Sequence, residues 1–356
     1  MDRKTVGVYE ARAPEWRDRR PARFVERAAA LTAAVPAGAP RADLGCGAGK
    51  HLEHLGRPVV ALDAAFAMLG LAREVAPDAW CVQADLEALP FRRGGLAGAW
   101  ARASYLHVPR VWLPWALADL HRSLSVGAPI HLTMRGGGGE GPLPDDDFPG
   151  RFFAEWEPAA LADVLVGAGF DVLELSAEGE WLQVRARRAR TLPDYVGPGL
   201  RVVVVGLNPS VYAADAGVGF ARPGNRFWPA AIAAGLVARD RDPADALRAH
   251  GMGMTDLVKR ATPGAATLRR AEYRDGARRV EGLVRWLRPR VVCFVGLAGW
   301  RAAMDPAAAS GVQRHGFGEA PAYVMPNTSG ANAHASFDDF VDHLRAVRRL
   351  ADRTGP

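Results

Sequence analysis

Three acids and three glycines in the first half of the chain have the spacing of a nucleotide-binding site. Asp43-Leu44-Gly45-Cys46-Gly47-Ala48-Gly49 puts its glycines where a short apolar run turns into a helical segment. Glycine lets the backbone approach a ligand closely and adopt φ > 0. A second apolar run, Val59-Val60-Ala61-Leu62, ends in Asp63, twenty residues after Asp43, where a carboxylate that grips a ribose diol is expected. A third, Trp80-Cys81-Val82-Gln83-Ala84, ends in Asp85, placed to read an adenine amine. In the second half, the apolar run 201–205 leads into Gly206-Leu207-Asn208-Pro209-Ser210. This presents Asn208 at the carboxyl end of a strand, where open α/β sheets place their ligands.

These residues need strands and helices to hold them. Apolar runs predict strands at 41–44, 59–63, 79–82, 98–101, 130–134, 172–176 and 181–186, with helices at 21–35, 65–74, 111–124 and 158–167. Beyond residue 200 the expected strands are 202–205, 291–295 and 322–325, and the expected helices 225–234, 274–286 and 337–349. Strand-turn-helix units that recur in both halves imply parallel sheets. The fold class expected is therefore α/β, in two tandem three-layer α/β/α domains. Their boundary falls where VRARRAR runs into TLPDYVGPGL, whose prolines and glycines break any periodicity. The domains expected are 1–190 and 191–356. The stretch GGGGEGPLPDDDFPG, residues 136–150, is too long and polar for a tight turn and reads as a mobile flap or a surface excursion.

Composition excludes several classes of protein. The three cysteines, Cys46, Cys81 and Cys293, lack the mutual spacing of metal ligands, so neither a zinc finger nor an iron-sulfur cluster is expected, and no other metal is implied. No run of about 18 apolar residues is free of charge, so no membrane partner is expected. The first ten residues are charged throughout and have no apolar leader core, which makes the cytoplasm the expected compartment. Residues 1–199 carry 23 Lys and Arg against 25 Asp and Glu, a net of −2, whereas residues 200–356 carry 22 against 14, a net of +8. Lys4, Lys50 and Lys259 are the only lysines. A GC-rich genome accounts for the preference for arginine, but not for its excess in one half, and only the second half is suited to a polyanion.

The glycine loop with its three acids resembles the class I S-adenosylmethionine-dependent methyltransferases, over roughly residues 5–190 and a Rossmann-like fold. The glycines run GxGxG rather than the GxGxxG of NAD-binding domains. The resemblance implies that Gly45, Gly47 and Gly49 hold the methionine part of the cofactor, that Asp63 takes the ribose hydroxyls, and that Asp85 lies beside adenine. It places Asp43 against the cofactor amine. After the fourth strand, Ala101-Arg102-Ala103-Ser104-Tyr105-Leu106-His107 lacks the Asn/Asp-Pro-Pro-aromatic motif of enzymes that methylate DNA amines, and no cysteine here follows a proline for cytosine attack. The acceptor is left open, and His107 reads either as a base or as a structural histidine.

The second half resembles the mismatch-specific uracil/thymine-DNA glycosylase branch of the uracil-DNA glycosylase superfamily, with its short central parallel sheet. The likeness rests on several motifs in order: GLNPS at 206–210, RPGNRFW at 222–228, GMGMTDLV at 251–258, RATPG at 260–264 and NTSGAN at 327–332. It implies a double-stranded DNA partner holding a mismatched or damaged base, hydrolysis of the N-glycosidic bond, and an abasic product. Asn208 inherits the role of orienting the attacking water. An amide has no useful proton affinity near neutral pH, so it positions water by hydrogen bonds rather than acting as a strong base. Gly206, Leu207, Pro209, Ser210 and Ala213 line the base pocket in this reading. Phe220 aligns with the aromatic that stacks on the extruded base, an ordinary core phenylalanine being the plain alternative. Asn225 ties the loop, contacts the base or caps a helix.

Asn327, Thr328, Ser329, Gly330, Ala331 and Asn332 align with the loop that enters the duplex. Ala331 and Asn332 stand where a leucine or arginine plug is expected. Ser210 replaces a usual glycine, and Asp256 stands where bacterial relatives often carry lysine, reversing a charge near the base. Uracil is thus the expected substrate before thymine. Arg269, Arg270, Arg274, Arg278 and Arg279 form a basic cluster that reads equally as a phosphate contact or a solvated helix face. Two other readings of the whole chain are a methyltransferase with a degenerate DNA-binding module, and a glycosylase with a non-catalytic amino-terminal scaffold.

Overall fold

The computed structural model describes residues 1–354 and divides into two compact units, one of residues 1–166 with 170–189 and one of residues 167–169 with 190 onward. In the first unit the elements run α1 (Arg3–Ala11), α2 (Ala13–Arg19), α3 (Val25–Ala34), β1 (Arg41–Leu44), β2 (Val59–Asp63), α4 (Phe66–Val75), β3 (Trp80–Gln83), β4 (Gly98–Arg102) and α5 (Leu113–Ser123). There follow β5 (Pro129–Gly136), β6 (Glu140–Pro142), β7 (Phe152–Trp156), α6 (Pro158–Gly167), β8 (Phe170–Glu178) and β9 (Trp181–Arg188). The parallel strands lie in the order β3-β2-β1-β4-β5, with β9 antiparallel to β5 and β8 antiparallel to β9. The order reverses between β1 and β4, which creates the crevice where such sheets bind ligands. Val59, Ala61 and Trp100 pack with Ala28 and Leu31 of α3 and Leu69 and Ala72 of α4, so the strands that carry the acids are anchored in a dry core.

The second unit contains β10 (Val202–Gly206), α7 (Val211–Ala216), α8 (Phe227–Ala233), α9 (Pro243–His250), β11 (Met252–Asp256) and α10 (Arg270–Leu287). It continues with β12 (Val291–Val295), α11 (Leu297–Ala303), β13 (Gly311–Val312), β14 (Ala322–Met325) and α12 (Phe337–Arg353). Its sheet order is β11-β10-β12-β14-β13, parallel except for β13. All five residues of β10 and of β12 are buried, as strands covered on both faces require. Val202 and Val204 share one cluster with Phe227 and Trp228 of α8 and Phe340 and Leu344 of α12. On the opposite face Phe294 packs edge-on against Trp300 of α11 at 4.8 Å and against Phe317 at 5.1 Å. This is a three-layer α/β/α unit, and its order also reverses beside β10.

Several expectations change. Strand β11 was not foreseen, because Met-Gly-Met-Thr-Asp lacks the β-branched run that marks its neighbours. Helices α1 and α2 precede the first expected helix, which itself begins only at Val25, after Phe24 at φ 61°. Within 136–150, β6 pairs with β7, and Asp146 forms a buried ion pair with Arg151, so this stretch is held rather than free. Of the basic cluster, Arg279 is buried and turned inward.

That inward turn builds an ionic knot. Asp194, only 3% exposed at its side chain, accepts from Lys259 at 2.8 Å, Arg279 at 2.6 Å and the Thr255 hydroxyl at 2.6 Å. Burial raises its pKa, but the two cations and the hydrogen bonds outweigh burial and leave it below the ordinary carboxylate value. A depressed carboxylate pKa contributes stability that is present above its unfolded value and lost as pH falls through the folded one. Asp194→Ala leaves two cations without their counter-ion and is expected to cost about 3–5 kcal/mol. Calorimetric melting should show this loss at pH 7 and a difference from wild type that shrinks as pH falls below the ordinary carboxylate value.

Candidate functional site

The first site lies at the carboxyl ends of β1 and β4. Gly45, Gly47 and Gly49 adopt φ of 76°, 53° and 80°. A Cβ on Gly45 would lie 2.3 Å from the Ser104 Cβ, so only glycine lets the loop pass this close to the turn after β4. A cavity of about 620 Å³ opens here, lined among others by Asp43, Gly45, Gly47, Asp63, Arg102 and Ser104. Gly49 is not in its wall. A Cβ there would lie 2.9 Å from the Ala72 Cα, so this glycine serves the packing of the loop on α4.

Asp63 is buried and braces the loop, its two oxygens accepting from the Gly47 and Ala65 amides, each at 2.9 Å. Each carboxylate oxygen keeps a further lone pair for a ligand hydroxyl. Asp43 is 2% exposed, and its Oδ2 has no partner. Burial, then the neighbouring Asp63, push its pKa up to about 8 against the opposing pull of Arg102. The Ser104 Oγ and the Arg102 Nε are likewise buried without partners. Three unsatisfied polar atoms around one cavity is the pattern of a site that awaits a polar ligand.

Asp85 departs from expectation. Its neighbours Ala84 and Leu86 line the cavity, whereas its own carboxylate accepts from the Met1 amino group at 3.0–3.1 Å. His107 is resolved in part. Its Nδ1 bonds the Phe152 carbonyl at 2.6 Å, which fixes the proton there, so Nε2 accepts from the Tyr9 hydroxyl at 2.9 Å. Arg151 donates to the same Tyr9 oxygen at 3.0 Å. Burial lowers the His107 pKa to about 4, and both ring nitrogens are engaged. Residues from α1 and α2, Tyr9 and Trp16, wall this cavity, and the Trp16 ring lies against Gly47. No spacing rule pointed to them, because they act through ring surface rather than through a motif.

The second site gathers at the carboxyl ends of β10, β11 and β14. The turn after β10 is fastened to the segment after β11 by three backbone bonds: Leu257 to the Gly206 carbonyl at 2.8 Å, Val258 to Leu207 at 2.9 Å and Thr262 to Pro209 at 3.1 Å. On this frame the Asn208 Nδ2 donates to the Thr262 Oγ1 at 2.8 Å, the Arg260 carbonyl at 3.1 Å and the Pro209 carbonyl at 3.2 Å. Carbonyl oxygens only accept, so the amide nitrogen must face them, and Oδ1 is left without a hydrogen-bond partner among the described residues. Thr262→Val removes one of these acceptors at nearly constant shape. We expect about a tenfold loss of the activity that depends on Asn208, with Thr262→Ser close to wild type in single-turnover assays.

Ser210 caps α7, its hydroxyl accepting from the Ala213 amide at 3.1 Å, and Ala213 is buried within that helix. Asp256 sits in register with Gly206 across β10 and β11, and a Cβ on Gly206 would lie 2.5 Å from its Oδ1. Burial first, with Asp194 adding to it, raises the Asp256 pKa to about 6 against Lys259 and Arg279. Phe220 holds φ 57°, a costly conformation for an aromatic residue, and stacks on Phe227 at 4.3 Å. The half-buried ring thus has one face backed by the core.

Asn225 ties loops together. Its Oδ1 accepts from the Phe227 amide at 2.9 Å and from the buried Thr328 hydroxyl at 3.1 Å. Arg226, part of the RPGNRFW motif but given no role of its own by it, donates to the carbonyls of Ser329, Asn332 and Ala335 at 3.1, 2.6 and 2.9 Å. Asn327 accepts from the Ser329 amide at 2.9 Å through its side chain, and its carbonyl accepts from the Asn332 side chain at 2.7 Å. Gly330 passes so close to Gly224 that a Cβ would lie 2.9 Å from its carbonyl oxygen. The loop is a rigid projection whose exposed Ala331 offers little bulk. Among the described residues no group of three or more His, Cys, Asp or Glu is placed to hold a metal ion, and no helix is long and apolar enough to cross a membrane.

Two family models match the chain, one in each unit. Residues 42–127 match the family described as methyltransferase domain, and residues 193–350 match the uracil DNA glycosylase superfamily. The chain carries one domain of each family. Among solved structures it is similar to an S-adenosylmethionine-dependent methyltransferase from Mesorhizobium loti, at 21% identity over 46% of this chain and 100% of that one, TM-score 0.38. It is also similar to the CcbJ methyltransferase from Streptomyces caelestis, at 18% identity over 53% and 100%, TM-score 0.43. A third is the 1,6-didemethyltoxoflavin-N1-methyltransferase from Burkholderia thailandensis, at 22% identity over 52% and 85%, TM-score 0.41.

Proposed function

We propose that the second domain is a mismatch-specific uracil-DNA glycosylase. It takes uracil from double-stranded DNA, with G·U pairs as its main target, and leaves an abasic site for base-excision repair. The observation that carries this reading is the Asn208 amide, whose nitrogen is held by three acceptors while its oxygen keeps no partner among the described residues. An amide oxygen so fixed accepts a hydrogen bond from water and aims it at the sugar. The glycosidic bond breaks with its electron pair going to the base, which departs as a stabilised anion. Water adds to the oxocarbenium-like sugar, and the proton it loses ends on the base or in solvent. Because Asn208 cannot take that proton, the rate is modest and depends on leaving-group stability. The target must leave the duplex to reach this turn, and the backed ring of Phe220 offers it a stacking surface worth about 1–3 kcal/mol. Comparison of G·U, A·U and single-stranded U tests the preference, since the small Ala331 favours bases that are already loosely paired. Equal rates on all three substrates would remove it.

We propose that the first domain transfers a methyl group from S-adenosylmethionine. Its cavity fits that cofactor by chemistry: the unpartnered Asp43 carboxyl suits an ammonium, and Asp63 keeps free lone pairs for ribose hydroxyls. The bound cofactor supplies the electrophilic methyl. The chain's residues bind and orient it, and His107, neutral and held by Tyr9 and Phe152, keeps the wall of the cavity in place. Binding of S-adenosylhomocysteine measured by calorimetry tests this half. Absence of binding would make the domain a scaffold.

A further inference from the structure

The turn after β4 holds a feature that no motif assigns. Arg102 ends the strand inside the cavity wall, and its Nε is buried without a partner. Its guanidinium lies over the Phe24 ring at 5.3 Å. No carboxylate forms an ion pair with it among the described residues. Nearby charges work against it: Arg23 and Arg20 repel it, and only Asp43 opposes them, while burial is the largest influence lowering its pKa. An arginine desolvated among arginines is expensive unless an anion completes the site. The next residue, Ala103, is held at φ 53°, a left-handed conformation that an alanine adopts at a cost, and Ser104 follows with a buried Oγ that also lacks a partner. Backbone strain and two unsatisfied side chains in three consecutive residues indicate a turn shaped around a ligand.

What the ligand must offer follows from the neighbours. Asp43 and Arg102 line the same cavity, an acid and a base each with an unsatisfied atom, and they do not satisfy one another by hydrogen bonds. A group that matches both carries an ammonium and a carboxylate a short distance apart, which is an α-amino acid zwitterion. We infer that Arg102 recognises the amino-acid carboxylate of the methyl donor, and that Arg102 and Asp43 together form a clamp for its zwitterionic end, with Ser104 adding a hydroxyl. This rests on the proposed use of S-adenosylmethionine and names the residue that distinguishes it from nucleosides without an amino acid. Arg23 adds positive potential toward the same carboxylate, whereas Arg20 is paired with Asp147 at 2.6 Å.

Calorimetric titration of the full chain with S-adenosylhomocysteine and with 5′-methylthioadenosine, which lacks the amino-acid end, tests the clamp. Arg102→Met should weaken S-adenosylhomocysteine binding about 10- to 100-fold, as expected for loss of a charge-assisted pair. It should leave 5′-methylthioadenosine binding within about twofold of wild type, which also shows that the variant is folded. Arg102→Lys should recover part of the loss, because a point charge lacks the bidentate fork. Equal weakening of both ligands, or no change in either, would overturn the assignment. Failure of the wild-type protein to bind either ligand would instead overturn the cofactor reading.

Discussion

Asn208→Ala is expected to lower the single-turnover rate of uracil release from a G·U duplex by about two to four orders of magnitude. Substrate affinity should be nearly unchanged. The asymmetry follows from the geometry: the side chain spends its nitrogen on Thr262, Arg260 and Pro209 and keeps its oxygen for the reaction. Truncation removes the water-holding atom but leaves the backbone bonds that fasten the turn to the segment after β11. Asn208→Asp separates positioning from basicity. A carboxylate there accepts from water and takes its proton, but it loses the donor to Thr262 and meets two carbonyl oxygens. Its rate should rise with pH where that of the wild type is flat. Gel separation of alkali-treated duplex checks all three proteins, and an Asn208→Ala rate within threefold of wild type would contradict the role.

The affinity of the first domain for S-adenosylhomocysteine should fall as pH drops below about 8. The carboxyl of Asp43 keeps its proton in the free protein up to about that value, because burial and Asp63 outweigh Arg102. A ligand ammonium favours the ionised form, so binding must expel the proton. Each pH unit below the free-state pKa then costs up to a factor of ten, about 50-fold between pH 8 and pH 6. Titrations in buffers of different ionisation enthalpy should show release of nearly one proton at pH 7. Asp43→Asn should bind weakly at every pH and show no slope. A wild-type affinity independent of pH would mean that Asp43 does not meet the ammonium.

Much of the frame was legible in the sequence because apolar runs and glycine turns are local signals. Strands β1, β2, β10, β12 and β14 announced themselves as short apolar runs ending in a turn, and the turns carried the chemistry. What stayed hidden depends on tertiary placement. Strand β11 is written in methionine and glycine, so only its neighbours make it a strand. The clamp residue Arg102 sits in an ordinary strand end and becomes notable only when its Nε proves buried and unpaired. Arg226 reads as part of a motif, yet its work is to hold three carbonyls of a loop about one hundred residues away. Arg279 looked like one of five surface arginines, but helical periodicity points it at Asp194. Asp85 shows the converse: strand position was legible, but the partner of its carboxylate was not.

The most direct measurement is the release of uracil by the full chain. The purified protein is incubated with an end-labelled duplex holding one G·U pair, and abasic sites are then cleaved with alkali, with and without S-adenosylmethionine. A single cleavage at the uracil position is expected, at least about 100-fold slower in Asn208→Ala and slower on A·U. No cleavage of G·U, G·T or single-stranded U under any of these conditions would contradict it.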